Sequence, residues 1–224
     1  MTPPTAIRCN LFQRLLNLVY PPKCPFCGRL LENGEDGLCA QCQETLPWTE
    51  PGNGKDVEFC DACLSPLWYR DGVREGVRRY KFSGGSAHAS LFGKLMAQCL
   101  SDRQERPAEL IVWVPLHRKH WKNRGFDQSE LLARRVGELT GLPVVPGLQK
   151  VRNTETQSLL QDDAARRANV AGAYVLLPGL DAAGKRVVLV DDIVTSGATM
   201  SECAALLRQA GAEEITALTL ARAR

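Results

Sequence analysis

The sequence predicts an α/β fold, a parallel sheet covered by helices on both faces, preceded by a small cysteine-bearing module. Three observations predict it. From Glu109 onward, continuous apolar runs alternate with amphipathic segments, the pattern of strands buried on both faces. Six of the nine cysteines fall in three Cys-x2-Cys pairs near the N-terminus. The run from Val187 to Thr199 passes from a β-branched strand through two adjacent acids into a turn of small residues and then a helix.

Residues 1–66 form the first unit. Pro21-Pro22, Gly34, Gly37, Pro47, Pro51-Gly52 and Gly54 break it into turns. Little of it is periodic, so a hydrophobic core alone would hardly fold it. In Leu11 to Val19, the residues Leu11, Phe12, Leu15, Leu16 and Val19 line one face of a helix. It is too short for a bilayer, which needs about 20 apolar residues, and suits core packing or, less well, a membrane surface. Residues 67–224 form the second unit, with 67–107 as a bridge or hood. There, Tyr69 to Phe82 is basic and aromatic, residues 83–86 are a turn, and Ala89 to Leu100 is a helix. Leu110 to Pro115 is then a strand, Asp127 to Leu139 a helix, Leu142 to Val145 a short strand and Asp162 to Asn169 a short helix. Val187 to Val190 is a strand, Ala198 to Gln209 a helix closed by Gly211, and Ile215 to Leu220 the last strand. Ligands of such sheets sit at the carboxyl ends of strands, where Asp191 and Asp192 fall.

A length of 224 residues holds one α/β domain plus a small module. The formal net charge of +3 is too weak to indicate nucleic-acid binding by itself. The odd cysteine count and the two-residue gaps argue for metal binding in a reducing cytoplasm rather than a secreted disulfide scaffold. Cys24-Pro25-Phe26-Cys27-Gly28 reads as a zinc knuckle, and Cys39 with Cys42 supplies a second turn. Four thiolates make a closed tetrahedral site that stabilises folding and performs no chemistry. Cys60 and Cys63 could replace Cys39 and Cys42 in another register, or belong to a second ribbon that lacks its other pair. Cys99 and Cys203 lie on apolar helix faces as core residues.

The 187–199 run carries the chemistry. Two adjacent carboxylates can accept hydrogen bonds from neighbouring ribose hydroxyls. The turn Thr195, Ser196, Gly197, Ala198, Thr199 points N–H groups and hydroxyls at one spot, and the following helix N-terminus favours a phosphate there. A plain strand running into an N-cap would account for the apolar run and the hydroxyls, but not for the paired acids. A Walker-type loop needs Gly-x4-Gly-Lys-Ser/Thr, which is absent.

Two basic segments flank this site. After strand 110–115, Arg118, Lys119, Lys122 and Arg124 lie within eight residues that also hold His117, His120 and Trp121. They could hold a pyrophosphate, stack and pair with single-stranded nucleic acid, or form a solvated charge run. Lys150 to Gln157 is polar and breaks the α/β rhythm, as a lid or as a connector. Lys81 could approach the site from the bridge or be a surface lysine.

Further signals are Tyr20-Pro21-Pro22-Lys23-Cys24-Pro25-Phe26-Cys27, Leu46-Pro47, Tyr80-Lys81-Phe82-Ser83-Gly84, Arg124-Gly125-Phe126-Asp127-Gln128-Ser129 and Thr156-Gln157. With these the chain resembles the ComF/GntX family, which is linked to natural competence and DNA uptake. Its members carry an N-terminal zinc ribbon, often double, and a type I phosphoribosyltransferase domain. The resemblance implies that fold, and binding of 5-phosphoribosyl-1-pyrophosphate (PRPP) by Asp191, Asp192 and Thr195 to Thr199. It implies a pyrophosphate loop over Pro115 to Lys119, which includes Leu116, Arg118 and Lys119. It makes Arg152 to Gln157 the flexible catalytic loop, with Arg152 and Gln157 joining the two acids as catalytic residues. Mg²⁺ would ride on the pyrophosphate. Where the family carries a fourth cysteine pair, Ser65-Pro66-Leu67-Trp68 stands here, which leaves a second zinc open.

Two functions follow from the resemblance. In one, an acceptor displaces pyrophosphate from PRPP·Mg²⁺, with positioning and charge stabilisation supplying most of the rate. In the other, a non-catalytic module senses PRPP or binds single-stranded DNA, through Arg118, Lys119, Lys122, Arg124 and the zinc ribbon, beside other DNA-uptake proteins. A third option is a partner-docking protein. No set of residues names the acceptor.

Overall fold

The computed structural model describes residues 21–32, 34–50, 54–82, 85–154 and 162–223. The expected helix over Leu11 to Val19, together with Cys9 and Gln157, lies outside the described residues.

Parallel strands form the centre, in the order β1 (Ala62–Leu64), β7 (Glu214–Arg222), β6 (Arg186–Val194), β3 (Leu110–Trp113). A further strand, β2 (Leu67–Trp68), also pairs with β7. Successive residues of β6 face opposite sides of the sheet. Val188 and Val190 pack with α2 (Asp71–Phe82), α3 (Ala89–Arg103) and α5 (Gln128–Thr140), whereas Val187 and Leu189 pack with α7 (Ala198–Gln209). Beside the sheet, β4 (Leu148–Lys150) and β5 (Tyr174–Leu176) make an antiparallel pair, with α6 (Asp163–Val170) between them in sequence. Both faces of the sheet are thus covered, as the apolar strands predict.

The chain joins the sheet earlier than residue 67. Ala62, Cys63 and Leu64 pair with Thr216, Ala217 and Leu218, so part of the segment expected in the N-terminal module is an edge of the main sheet. The strand expected over Leu142 to Val145 shrinks to a single bridge from Val144 to Ile111. Pro143 and Pro146 flank it and supply no N–H for a longer ladder. Tyr69 to Phe82 contains a full helix, α2, whose buried stripe is Val73, Gly76, Val77 and Tyr80.

The cysteine module is built onto α2. Phe26, between Cys24 and Cys27, is 2% exposed, and its ring centroid lies 5.5 Å from that of Phe92 on α3. A Cβ on Gly76 would come within 2.8 Å of the Phe26 ring, so this close approach needs glycine despite its helix cost. Arg79 closes the contact, donating to the carbonyls of Pro25 at 2.8 Å and Phe26 at 3.2 Å. Truncating a buried phenylalanine leaves a cavity and costs about 3–5 kcal/mol. Phe26→Ala is therefore expected to lower the urea midpoint of the whole chain, measured by circular dichroism, in one cooperative transition.

Candidate functional site

Four thiols meet in the N-terminal module. The Sγ atoms of Cys24, Cys27, Cys39 and Cys42 lie within 4.8 Å of one another, with Cys27 and Cys39 at 3.6 Å. A tetrahedron with Zn–S bonds of about 2.3 Å has edges of about 3.8 Å, so the donors fit a structural zinc. Gly28, at φ 80°, turns the first knuckle under the sulfurs. Cys39 caps α1 (Ala40–Thr45), accepting from the Cys42 N–H at 3.4 Å. Burial opposes ionisation of Cys39, but this N–H and the neighbouring thiols bring it down to about 7. Cys60 and Cys63 do not join the cluster. Cys63 is buried in β1, Cys60 packs against the α7 side of the sheet, and burial pushes their thiols up to about 11 and about 12.

The paired acids lie inside β6 rather than past its end. The strand continues to Val194 because β7 runs alongside as far as Arg222. Asp192 is buried and Asp191 half-buried. Each acid has one oxygen held by the protein. Asp191 Oδ1 accepts from Ser129 Oγ at 2.7 Å and from the Asp192 N–H at 2.8 Å. Asp192 Oδ2 meets Lys81 Nζ at 2.7 Å, so Lys81 does reach the site from the bridge. Among the described residues, Asp191 Oδ2 and Asp192 Oδ1 have no protein partner in hydrogen bonds or ion pairs. Burial first, then the neighbouring Asp192, raises the Asp191 carboxyl to about 7, against the lowering effects of Ser129 and Lys81.

The phosphate turn follows directly. Thr195 and Ser196 are half-buried, and Gly197 takes φ 87° at the N-cap of α7. A side chain there would be strained and would meet Val57 at 3.4 Å. Ser196 Oγ accepts from the Ala198 N–H at 3.4 Å. The first N–H groups of a helix lack intrahelical acceptors, so α7 aims donors at the space beside the acids. Thr199 also bonds the side chain of Tyr174 on β5, and Lys150 Nζ stands 5.1 Å from the Tyr174 ring centroid.

The basic segment after β3 is the helix α4 (Arg118–Arg124), started by His117 and ended by Gly125 at φ 80°. Arg118, Lys119 and Lys122 are exposed, as is Trp121 at 51%. Arg124 is half-buried, donating to Gln128 Oε1 at 2.8 Å with its guanidinium 4.9 Å from the Phe82 ring centroid. The Leu116 N–H is already used, donating to Asp127 Oδ2 at 2.7 Å. Arg152 points to α6, where it donates to the carbonyls of Asn169 at 3.0 Å and Ala171 at 2.7 Å.

Sequence reasoning assigned no role to Ser129, Asp127 or Tyr174. Asp127 caps α5 through the N–H groups of Ser129 and Glu130 while holding the Leu116 loop. A local signal existed, because an acid directly before an amphipathic helix reads as an N-cap. Its grip on the neighbouring loop is a tertiary contact.

The fold and site define a phosphoribosyltransferase-type α/β domain behind a zinc ribbon. The family model for a phosphoribosyl transferase domain matches residues 123–224, and that for a double zinc ribbon domain matches 15–67. The DNA utilization protein YhgH of Salmonella typhimurium is 32% identical over 96% of either chain. Competence protein F of Haemophilus influenzae is 30% identical over 90% of this chain and 97% of its own. Competence protein ComFC of Streptococcus pneumoniae is 27% identical over 89% of this chain and 100% of its own. The chain belongs to the ComF family.

Two outcomes follow from this geometry. Metal analysis of the purified chain is expected to find one zinc that Cys39→Ser removes and Cys63→Ala leaves in place. For Asp191, the folded-state carboxyl lies above its unfolded value, so its contribution to stability is present at low pH and lost as pH rises through about 7. Asp191→Asn is therefore expected to raise the melting temperature of the ligand-free protein more at pH 8 than at pH 5.

Proposed function

We propose that the chain binds PRPP as its magnesium complex and transfers the phosphoribosyl group to an acceptor. The observation that carries this reading is the disposition of the acid pair. Asp191 and Asp192 each keep one carboxylate oxygen on a protein donor and leave the other open, beside a turn and helix N-terminus suited to a phosphate. The open oxygens would accept from the 2′ and 3′ hydroxyls, and Thr195, Ser196, Gly197, Ala198 and Thr199 would hold the 5′-phosphate.

Arg118 and Lys119 on α4 would meet the pyrophosphate, with Leu116 shaping that loop through its bond to Asp127. Arg152 and Gln157 would close from the β4 side, which requires Arg152 to leave its carbonyls on α6. Magnesium would sit on the ligand's phosphate oxygens and neutralise charge on the leaving group. In the transfer, the acceptor's lone pair forms the bond to C1′ as the C1′–O bond breaks. The bonding electrons leave with pyrophosphate, and the acceptor's proton passes to solvent or to the leaving group. Among the described residues no helix is long and apolar enough to cross a membrane.

One further observation favours a second reading, single-stranded DNA binding in partnership with DNA-uptake proteins. Exposed Arg118, Lys119, Trp121 and Lys122 share the short helix α4, combining phosphate-pairing cations with a stacking ring. In that case affinity falls steeply with salt, and the slope lessens when Lys119 and Lys122 are replaced by alanine.

The double replacement Asp191→Ala with Asp192→Ala is expected to abolish PRPP·Mg²⁺ binding in calorimetry, and unchanged binding would sink the proposal. The wild-type affinity is expected to weaken as pH falls through about 7, where Asp191 takes up a proton and becomes a weaker acceptor for a hydroxyl. Pyrophosphate release with a panel of acceptors then separates transfer from sensing.

A further inference from the structure

The two acids are held in different ways. Asp191 rests on neutral donors, the Ser129 hydroxyl and a backbone N–H. Asp192 is the more deeply buried, at 6% exposure, and its one side-chain partner among the described residues is a cation brought from elsewhere in the chain. Lys81 belongs to the last turn of α2, and its side chain is only 20% exposed.

Lys81 is preceded by anchored residues. Tyr80 is fully buried, its hydroxyl donating to the Gln128 carbonyl at 2.8 Å and its ring meeting Phe92 edge-on at 5.4 Å. Arg79 is bound to the zinc knuckle, and Phe82 stands under Arg124. A lysine normally carries large rotamer entropy. Here the backbone on the N-terminal side is held by Arg79 and Tyr80, so less of the chain remains to be ordered when the ammonium meets Asp192.

We infer that Lys81 is a positioning residue of the PRPP site, holding Asp192 Oδ2 so that Oδ1 faces the ligand's diol. The inference rests on the PRPP reading for its ligand, and on the ligand-free geometry for the pairing itself. Every charged group around the pair enters the balance. Lys81 and Tyr80 approach from α2, Asp127 from the cap of α5 and Arg124 from α4. Lys150 faces Asp191 from β4, Tyr174 from β5 and Cys203 from α7. Lys81 alone among the cations makes a direct ion pair with either acid among the described residues. A carboxylate offers about four acceptor sites, so occupation of Oδ2 leaves Asp192 able to accept from a hydroxyl through Oδ1.

The test uses Lys81→Met and Lys81→Arg in the full chain. The first readout is the ¹³C-carboxyl NMR titration of the acid pair without ligand. Loss of a contacting opposite charge moves a carboxyl's titration midpoint upward by about 1 in pH or more. Lys81→Met is thus expected to take up the pair's proton at correspondingly higher pH, and Lys81→Arg to titrate like wild type. The second readout is PRPP·Mg²⁺ affinity across pH. Lys81→Met is expected to bind about fivefold more weakly at pH 7, since a midpoint displaced upward from about 7 by about 1 lowers the ionised fraction there by about that factor, and to recover most of that loss at pH 9. An unchanged ligand-free titration, or a loss of affinity equal at every pH, overturns the positioning role. A displaced titration in a protein that fails to bind PRPP supports the Lys81–Asp192 pairing and refutes the PRPP reading instead.

Discussion

Asp191 and Asp192 put two carboxylates at adjacent positions of a largely buried parallel strand, and the charge on Asp192 opposes ionisation of Asp191. Much of the surrounding architecture answers that problem. α5 brings Ser129 to Asp191, α2 brings Lys81 to Asp192, and Asp127 fixes the start of α5 so that Ser129 stands in register. Hydrogen-bond donors and one cation offset part of the repulsion, and Asp191 still titrates near neutrality. A sheet built for stability alone would carry apolar residues at these positions, as β6 does immediately upstream. Two acids retained in an otherwise well-packed core support the proposal that this is the ligand site.

The zinc module takes part in this arrangement through a single helix. α2 meets the knuckle along Gly76 and Arg79, the core through Val73, Val77 and Tyr80, and the acid pair through Lys81. The metal fixes the knuckle, the knuckle seats α2 through Phe26, and α2 carries the ammonium. A small loop-rich segment cannot bury enough apolar surface to hold such a position alone, and a closed four-thiolate site supplies the missing constraint. A structural metal remote from the carboxylates therefore bears on the site through packing, with no chemistry of its own.

The parts legible in the sequence are those whose physics is local. β6, the turn and α7 follow from an apolar run, small residues and a capped helix in direct succession. The four cysteines follow from their spacing. Less legible parts depend on contacts between distant segments. α2 hid because Gly76 interrupts its stripe and arginines crowd its exposed face, and that glycine is explained only by the Phe26 ring above it. α4 has no apolar period to read, since seven polar and aromatic residues are held by a histidine cap and a left-handed glycine. The spacing of Cys60 and Cys63 leaves open whether they are ligands, and only the neighbours of Cys63 in β7 make it a strand residue. Lys81 was legible as a candidate, and its partner was not.

The same contrast separates the two basic segments. Arg152 was expected near the acids, yet its guanidinium satisfies carbonyls at the end of α6, where a cation complements the helix dipole. α4 has three basic side chains, Arg118, Lys119 and Lys122, exposed at the mouth of the loop that Asp127 ties down. The half of the site that would hold ribose and 5′-phosphate is thus assembled from buried, mutually bonded groups. The half that would hold pyrophosphate consists of exposed or otherwise engaged cations. Electrostatic attraction would bring an anionic ligand to the second half first, and the preorganised acids and turn would then select for a sugar phosphate. On the proposed function, that division would assign specificity to β6 and α7.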